Sequence, residues 1–139
     1  MGTNFYMMTK SKQAADKWFG YDRELTDEPD WGYSIHIAKT SAGWRPLFQA
    51  HEKIRSVSDL KLIYNIGEFI IYDEYNKVYT WDEFEKRVIA WNKDNPDACG
   101  HVKPDRSKPN FYKMYGYNYS DSRNFLSADG YDFTNGEFS

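Results

Sequence analysis

The stretch that most constrains the fold begins at Thr80. Thr80-Trp81-Asp82-Glu83 is a capping box: the Thr80 hydroxyl can accept from the Glu83 amide while the Glu83 carboxylate reaches back to the cap. Behind it, Trp81, Phe84, Val88 and Trp91 recur at spacings of three and four, until Asn95-Pro96 ends the run. A helix with three aromatic rings on one face needs a broad apolar surface to bury them. The rest of the chain must supply that surface.

Alternating segments offer it as a sheet. Tyr33-Ser34-Ile35-His36-Ile37-Ala38 reads as a strand with Tyr33, Ile35 and Ile37 on one face and Ser34, His36 and Ala38 on the other. Thr40-Ser41-Ala42-Gly43 reads as a turn, and residues 44–52 as an antiparallel return, with Pro46 at a strand start or an edge. Residues 3–9 alternate Phe5 and Met7 against Tyr6 and Met8. Residues 69–72 and 77–79 form a hairpin about Asp73–Asn76. Residues 14–19 suggest a short helix stopped by Gly20. A second begins at Ser58-Asp59, carries Leu60, Ile63 and Tyr64 on one side, and stops at Gly67.

The last thirty residues set tyrosines between Gly, Ser, Asn and Asp, and read as irregular structure with short strands wrapping the sheet. The expected fold is α+β: a small antiparallel sheet with two short to medium helices and an irregular, tyrosine-rich C-terminal third. With no repeat or linker, residues 1–139 are expected to form one domain.

Composition narrows the function. The formal charge is −3, and Lys and Arg are scattered rather than gathered into a stripe, which argues against direct nucleic-acid binding. The acidic run from Asp22 to Asp30 reads as a solvated loop. One cysteine excludes an internal disulfide framework. No stretch nears the roughly 20 apolar residues that span a bilayer. The opening residues carry no basic, apolar leader pattern, so a cytoplasmic location is expected.

Three histidines and the cysteine, His36, His51, Cys99 and His101, are residue types that zinc prefers. Grouped, they would pin the C-terminal third onto the sheet. Ungrouped, they are two strand histidines, a loop thiol and a loop histidine. With a tight turn near 40–43, His36 and His51 need not be close. Lys39-Thr40-Ser41-Ala42-Gly43 lacks the full phosphate-loop pattern, since Pro46 follows too soon for a helix. No Ser-His-Asp order or paired-carboxylate spacing stands out, and a non-enzymatic role is expected.

Three blocks carry a resemblance: Met1-Gly2-Thr3-Asn4-Phe5-Tyr6, then His36-Ile37-Ala38-Lys39-Thr40-Ser41-Ala42-Gly43-Trp44, and Tyr131-Asp132 with Gly136-Glu137-Phe138-Ser139. In these, and in the turn Asp73-Glu74-Tyr75-Asn76-Lys77-Val78, the chain resembles a family of small bacteriophage-encoded proteins. The family commonly has a Cys-x-x-Cys before the histidine, similar to half of a zinc site; residues 10–32 here hold no cysteine. The resemblance implies a zinc-stabilised protein of the infected bacterial host's cytoplasm, acting by protein–protein interaction. Some phage proteins of this size are anti-CRISPR inhibitors of Cas9, and an inhibitor that binds Cas9 and obstructs target-DNA loading is the expected function. The alternatives are a small metal-dependent hydrolase or nuclease using His36 and His51, and a zinc-stabilised phage adapter.

Overall fold

The computed structural model describes residues 2–20, 24–25, 32–41, 46–89, 123–129 and 131–136. The fold is α+β. Eight strands are present among these residues: β1 (Gly2–Thr9), β2 (Glu24–Leu25), β3 (Tyr33–Ser41), β4 (Leu47–Gln49), β5 (Ile70–Asp73), β6 (Val78–Tyr79), β7 (Asn124–Leu126) and β8 (Asp132–Thr134). They make one sheet in the order β6-β5-β1-β3-β4-β8-β7, with β2 paired to β3 beside that path. Every pairing is antiparallel except β4 with β8, which is parallel. The sheet is therefore mixed rather than purely antiparallel.

The central pair is β1 with β3. Met8 faces Ser34, Met7 faces Ile35 and Tyr6 faces His36, but Phe5 faces Ala38, so Ile37 is an extra residue on β3. A bulge of this kind breaks the two-residue alternation. Ile37 and Ala38 are consequently both in the core, together with Ile35. This corrects the regular alternation expected for β3, which had Ala38 beside His36. The strand also continues through Thr40 and Ser41, where a turn was expected. At its start, Gly32 sits at φ +98°, and a Cβ there would lie 2.3 Å from the Thr9 carbonyl oxygen. Only glycine lets the chain pass so close to the end of β1.

Three helices, one more than the two expected, bury side chains in the same core as Phe5, Met7 and Ile35. In α1 (Lys12–Trp18) the Ser11 hydroxyl caps the Ala14 amide at 3.1 Å, and buried Ala14 and Ala15 let the helix lie close to the sheet. α2 (Val57–Tyr64) is capped by Ser56, whose hydroxyl accepts from the Asp59 amide at 3.1 Å. The start is thus two residues ahead of the Ser58 expected, and Val57 joins Leu60 and Ile63 in the core.

α3 (Trp81–Phe84) has the anticipated capping box, with Glu83 N–H to Thr80 Oγ1 at 3.2 Å and Thr80 N–H to Glu83 Oε1 at 3.1 Å. The helix then widens into a π turn over Glu85–Ile89. The wider turn brings Ile89 into the core beside Val88. Trp91, expected on that face, lies outside the described residues.

Aromatic rings join the layers. Phe5 meets Phe84 edge-on at 5.6 Å and Tyr79 at 5.5 Å, while Trp81 touches Phe84 and Tyr64. Further along the sheet, Phe48, Phe133 and Phe125 stack across β4, β8 and β7 at 5.2 and 5.8 Å. No helix among the described residues is long and apolar enough to cross a membrane.

Candidate functional site

The bulge at Ile37 sets the registration of the sheet's other face. Tyr72, Tyr6 and His36 are direct cross-strand partners on β5, β1 and β3. Their rings form a column, with centroids 5.4 Å apart for Tyr72–Tyr6 and 4.8 Å for Tyr6–His36. Adjacent strands lie about 4.8 Å apart, so rings standing off neighbouring strands stack without distortion.

His51 arrives from the other side. Strands β2 and β4 share one edge of β3: β2 pairs with Tyr33 and Ser34, and β4 with Ala38 and Lys39. Among the described residues neither reaches 35–37. The chain leaves the ladder after Gln49, because the Ala50 amide turns to Thr134 O at 2.9 Å and His51 pairs with Ile54 in a tight bend. The buried His51 ring then enters the gap, with Nε2 2.7 Å from the His36 carbonyl oxygen. As a donor at Nε2 it supplies the hydrogen bond that a continuing strand would have given.

The two histidines that sequence spacing left apart are thus adjacent. Burial is the largest cause lowering the His36 pKa from 6.5 to about 4; the charge of His51 and of Lys39 lowers it further, and a hydrogen bond to the Ala38 backbone opposes them. His36 is therefore neutral at pH 7, the form that ligates metal. Each ring has one nitrogen held by main chain, the orientation common to metal-bound imidazoles. With Nε2 of His51 held by a carbonyl, Nδ1 is the atom with which it would meet a metal.

Of the four nominated residues, the structure brings His36 and His51 together, through the bond from the His51 ring to the His36 carbonyl. Cys99 and His101 lie outside the described residues, and among the described residues no group of three or more His, Cys, Asp and Glu side chains converges. Tyr6 and Tyr72, which wall the histidine, were not singled out from the sequence. Their place depends on the β1–β3 register, and the bulge that sets it has no local signature.

A second set of polar residues ties the turns and the C-terminal strands to the sheet. Asp73, buried at the end of β5, accepts from the amides of Tyr75 (2.8 Å) and Lys77 (3.0 Å) through Oδ1, and from the Tyr79 hydroxyl (2.8 Å) through Oδ2. Burial first, and the bond to Asp73 second, push the Tyr79 pKa up to about 12. Glu74, next in the turn, receives the Asn4 amide at 2.8 Å and donates its own amide to the Asn4 carbonyl at 3.0 Å. At the end of β4 the Gln49 side-chain amide donates to the carbonyls of Thr134 (3.2 Å) and Gly136 (2.9 Å).

No family model matches the chain, and neither the curated proteins nor the solved structures give a match.

Proposed function

We propose that this chain is a phage counter-defence protein that acts by binding rather than catalysis, and that its target is a guide-loaded Cas9 whose loading of target DNA it obstructs. The observation that carries the reading is where the resembling stretches lie. Gly2–Tyr6 pairs with His36–Ser41 across the bulge at Ile37. The 73–78 turn is tied to Asn4 through Glu74. Asp132 pairs with Leu47 on the strand beside β3, and Gly136 is held by Gln49. Stretches more than a hundred residues apart in sequence form one continuous piece of sheet, so their likeness to the phage family concerns a single structural unit.

Zinc belongs to the same proposal. His36 and His51 would be two of its ligands, with Cys99 and His101 the other two. A site closed by four protein ligands is structural and leaves no open position for water. What separates this reading from the hydrolytic alternative is the fourth protein ligand, because a catalytic zinc keeps an open position for water.

The test is pull-down against Cas9 with and without guide RNA, followed by DNA cleavage. Complex formation with inhibited cleavage is expected. No complex, with cleavage undiminished at micromolar protein, would end the reading for that Cas9.

A further inference from the structure

We infer that the outer face of α2, with Arg55 at its head, is the protein-docking surface, and that its occupant is a protein segment presenting apolar side chains together with a carboxylate. The inference rests on the reading that the chain acts by binding a protein; it names the face and the chemistry.

Ser58, Leu62 and Ile66 fall at intervals of four, on one side of α2 and its exit. Ser58 is held by Asp129, through its amide at 2.9 Å and its hydroxyl at 3.2 Å, which fixes the near end of the stripe against the β7–β8 turn. Leu62 is 63% exposed and Ile66 45%, opposite the buried Val57, Leu60 and Ile63. Two aliphatic side chains a turn apart make a ridge or shallow pocket wall suited to another apolar surface.

Arg55 supplies direction. Its guanidinium lies 4.5 Å over the Phe125 ring, and Nη1 donates to Asn135 Oδ1 at 2.7 Å. Asp59, four residues on, accepts from the Arg55 amide at 2.9 Å, not from its side chain. Among the described residues the one ion pair is Lys12–Asp16, so Arg55 is an exposed cation fixed on two sides by neutral groups. Ordering an arginine in advance removes much of the entropy cost of using it at an interface. Its remaining donors match a carboxylate. Arginine beside aliphatic contacts is a common composition of binding hot spots.

A carboxylate on a protein is favoured over a nucleic-acid phosphate for two reasons. The chain carries net charge −3, and the apolar ridge offers a backbone phosphate nothing. The complementary segment has apolar residues opposite Leu62 and Ile66, and an Asp or Glu roughly 10 Å away, the rise of about two helical turns.

The test places a photo-crosslinking amino acid at Ile66, and separately at the exposed Glu85 as control, in the full chain expressed with Cas9 and guide RNA. Adducts are mapped by mass spectrometry. A protein adduct from position 66 and not 85 is expected, on a peptide carrying Asp or Glu within about three helical turns of the crosslink, the span from Arg55 to Ile66. Its yield should fall about tenfold or more in Leu62→Asp and in Arg55→Ala. Leu62→Asp alters an exposed side chain and keeps the test valid if Arg55→Ala melts early. If the adduct is Cas9, the surface and the function stand together. If it is another protein with the same sensitivity, the surface stands and the Cas9 reading fails. Cas9 captured in pull-down with no adduct at 66, equal adducts at 66 and 85, yields indifferent to both variants, or a nucleic-acid adduct would each overturn the surface.

Discussion

Two side chains show how single residues hold this protein. Asp73 is buried and accepts three hydrogen bonds, two from main-chain amides of its own turn and one from Tyr79. The turn also sets Asn76 at φ +67°, a conformation Asn tolerates better than most residues. Asp73→Ala leaves those donors without their acceptor and should cost about 3 kcal/mol in urea unfolding. Asp73→Asn keeps an oxygen for the two amides and should cost about 1 kcal/mol; equal losses would show that the carboxylate does not organise the turn. His36 gives a pH signature. Its folded pKa is about 4 against an ordinary 6.5, so between those limits the unfolded chain binds the extra proton. Stability from this group is complete above about pH 6.5 and is lost as acid is added toward pH 4. Metal-free protein should lose about 1–2 kcal/mol between pH 7 and 5 through His36, allowing for screening by nearby solvent. His36→Gln should flatten that part of the profile, and an unchanged slope would assign the loss to other groups.

Among the elements, α3 was the most legible, and its end shows where legibility stopped. The capping box and the Trp81–Phe84 face follow from local rules, because cap chemistry needs only four adjacent residues. The π turn after Phe84 does not: widening depends on what the helix packs against. Phe84 is fully buried between Phe5 and Trp81. Phe84→Ala should therefore cost about 3–5 kcal/mol, whereas the exposed Glu85→Ala should stay within about 0.5 kcal/mol. Similar melting temperatures for the two variants would mean the helix face is misassigned. The strands tell the same story. Phe5, Met7 and Ile35 could be placed by alternation, but Ala38 could not, since one extra residue reverses the pattern after Ile37. Strand β2 was hidden in an acidic run because two residues give no periodicity, and β3 supplies the pairing that defines it. The parallel β4–β8 pair joins residues some eighty-five apart and is a tertiary fact with no local cue.

At the scale of the whole molecule, the two halves of the candidate metal site differ in how far sequence could reach them. His36 and His51 were nominated by residue type, yet a tight hairpin would have kept them apart. They meet because β4 is only three residues long and the chain bends back at once, sending the His51 ring to the His36 carbonyl. That bond alone gives His51 a structural task, so metal must be tested against it. If zinc is held by His36, His51, Cys99 and His101, Zn–N should be about 2.0–2.1 Å and Zn–S about 2.3 Å, and binding adds to folding stability because the unfolded chain has no preformed site. Protein purified without added zinc or a histidine tag should contain one equivalent of metal. A chelator should lower its melting temperature, and acid should release the metal as the ligands take up protons. His36→Ala and Cys99→Ser should each lose the metal, while His51→Asn should lose both the metal and the bond that closes the β3 edge. Metal-free parent protein with an unchanged melting temperature in chelator would leave His51 as a ladder-closing residue and His36 as the end of an aromatic column. Metal retained in Cys99→Ser but lost in His36→Ala would keep the sheet ligands and replace the thiol by another donor.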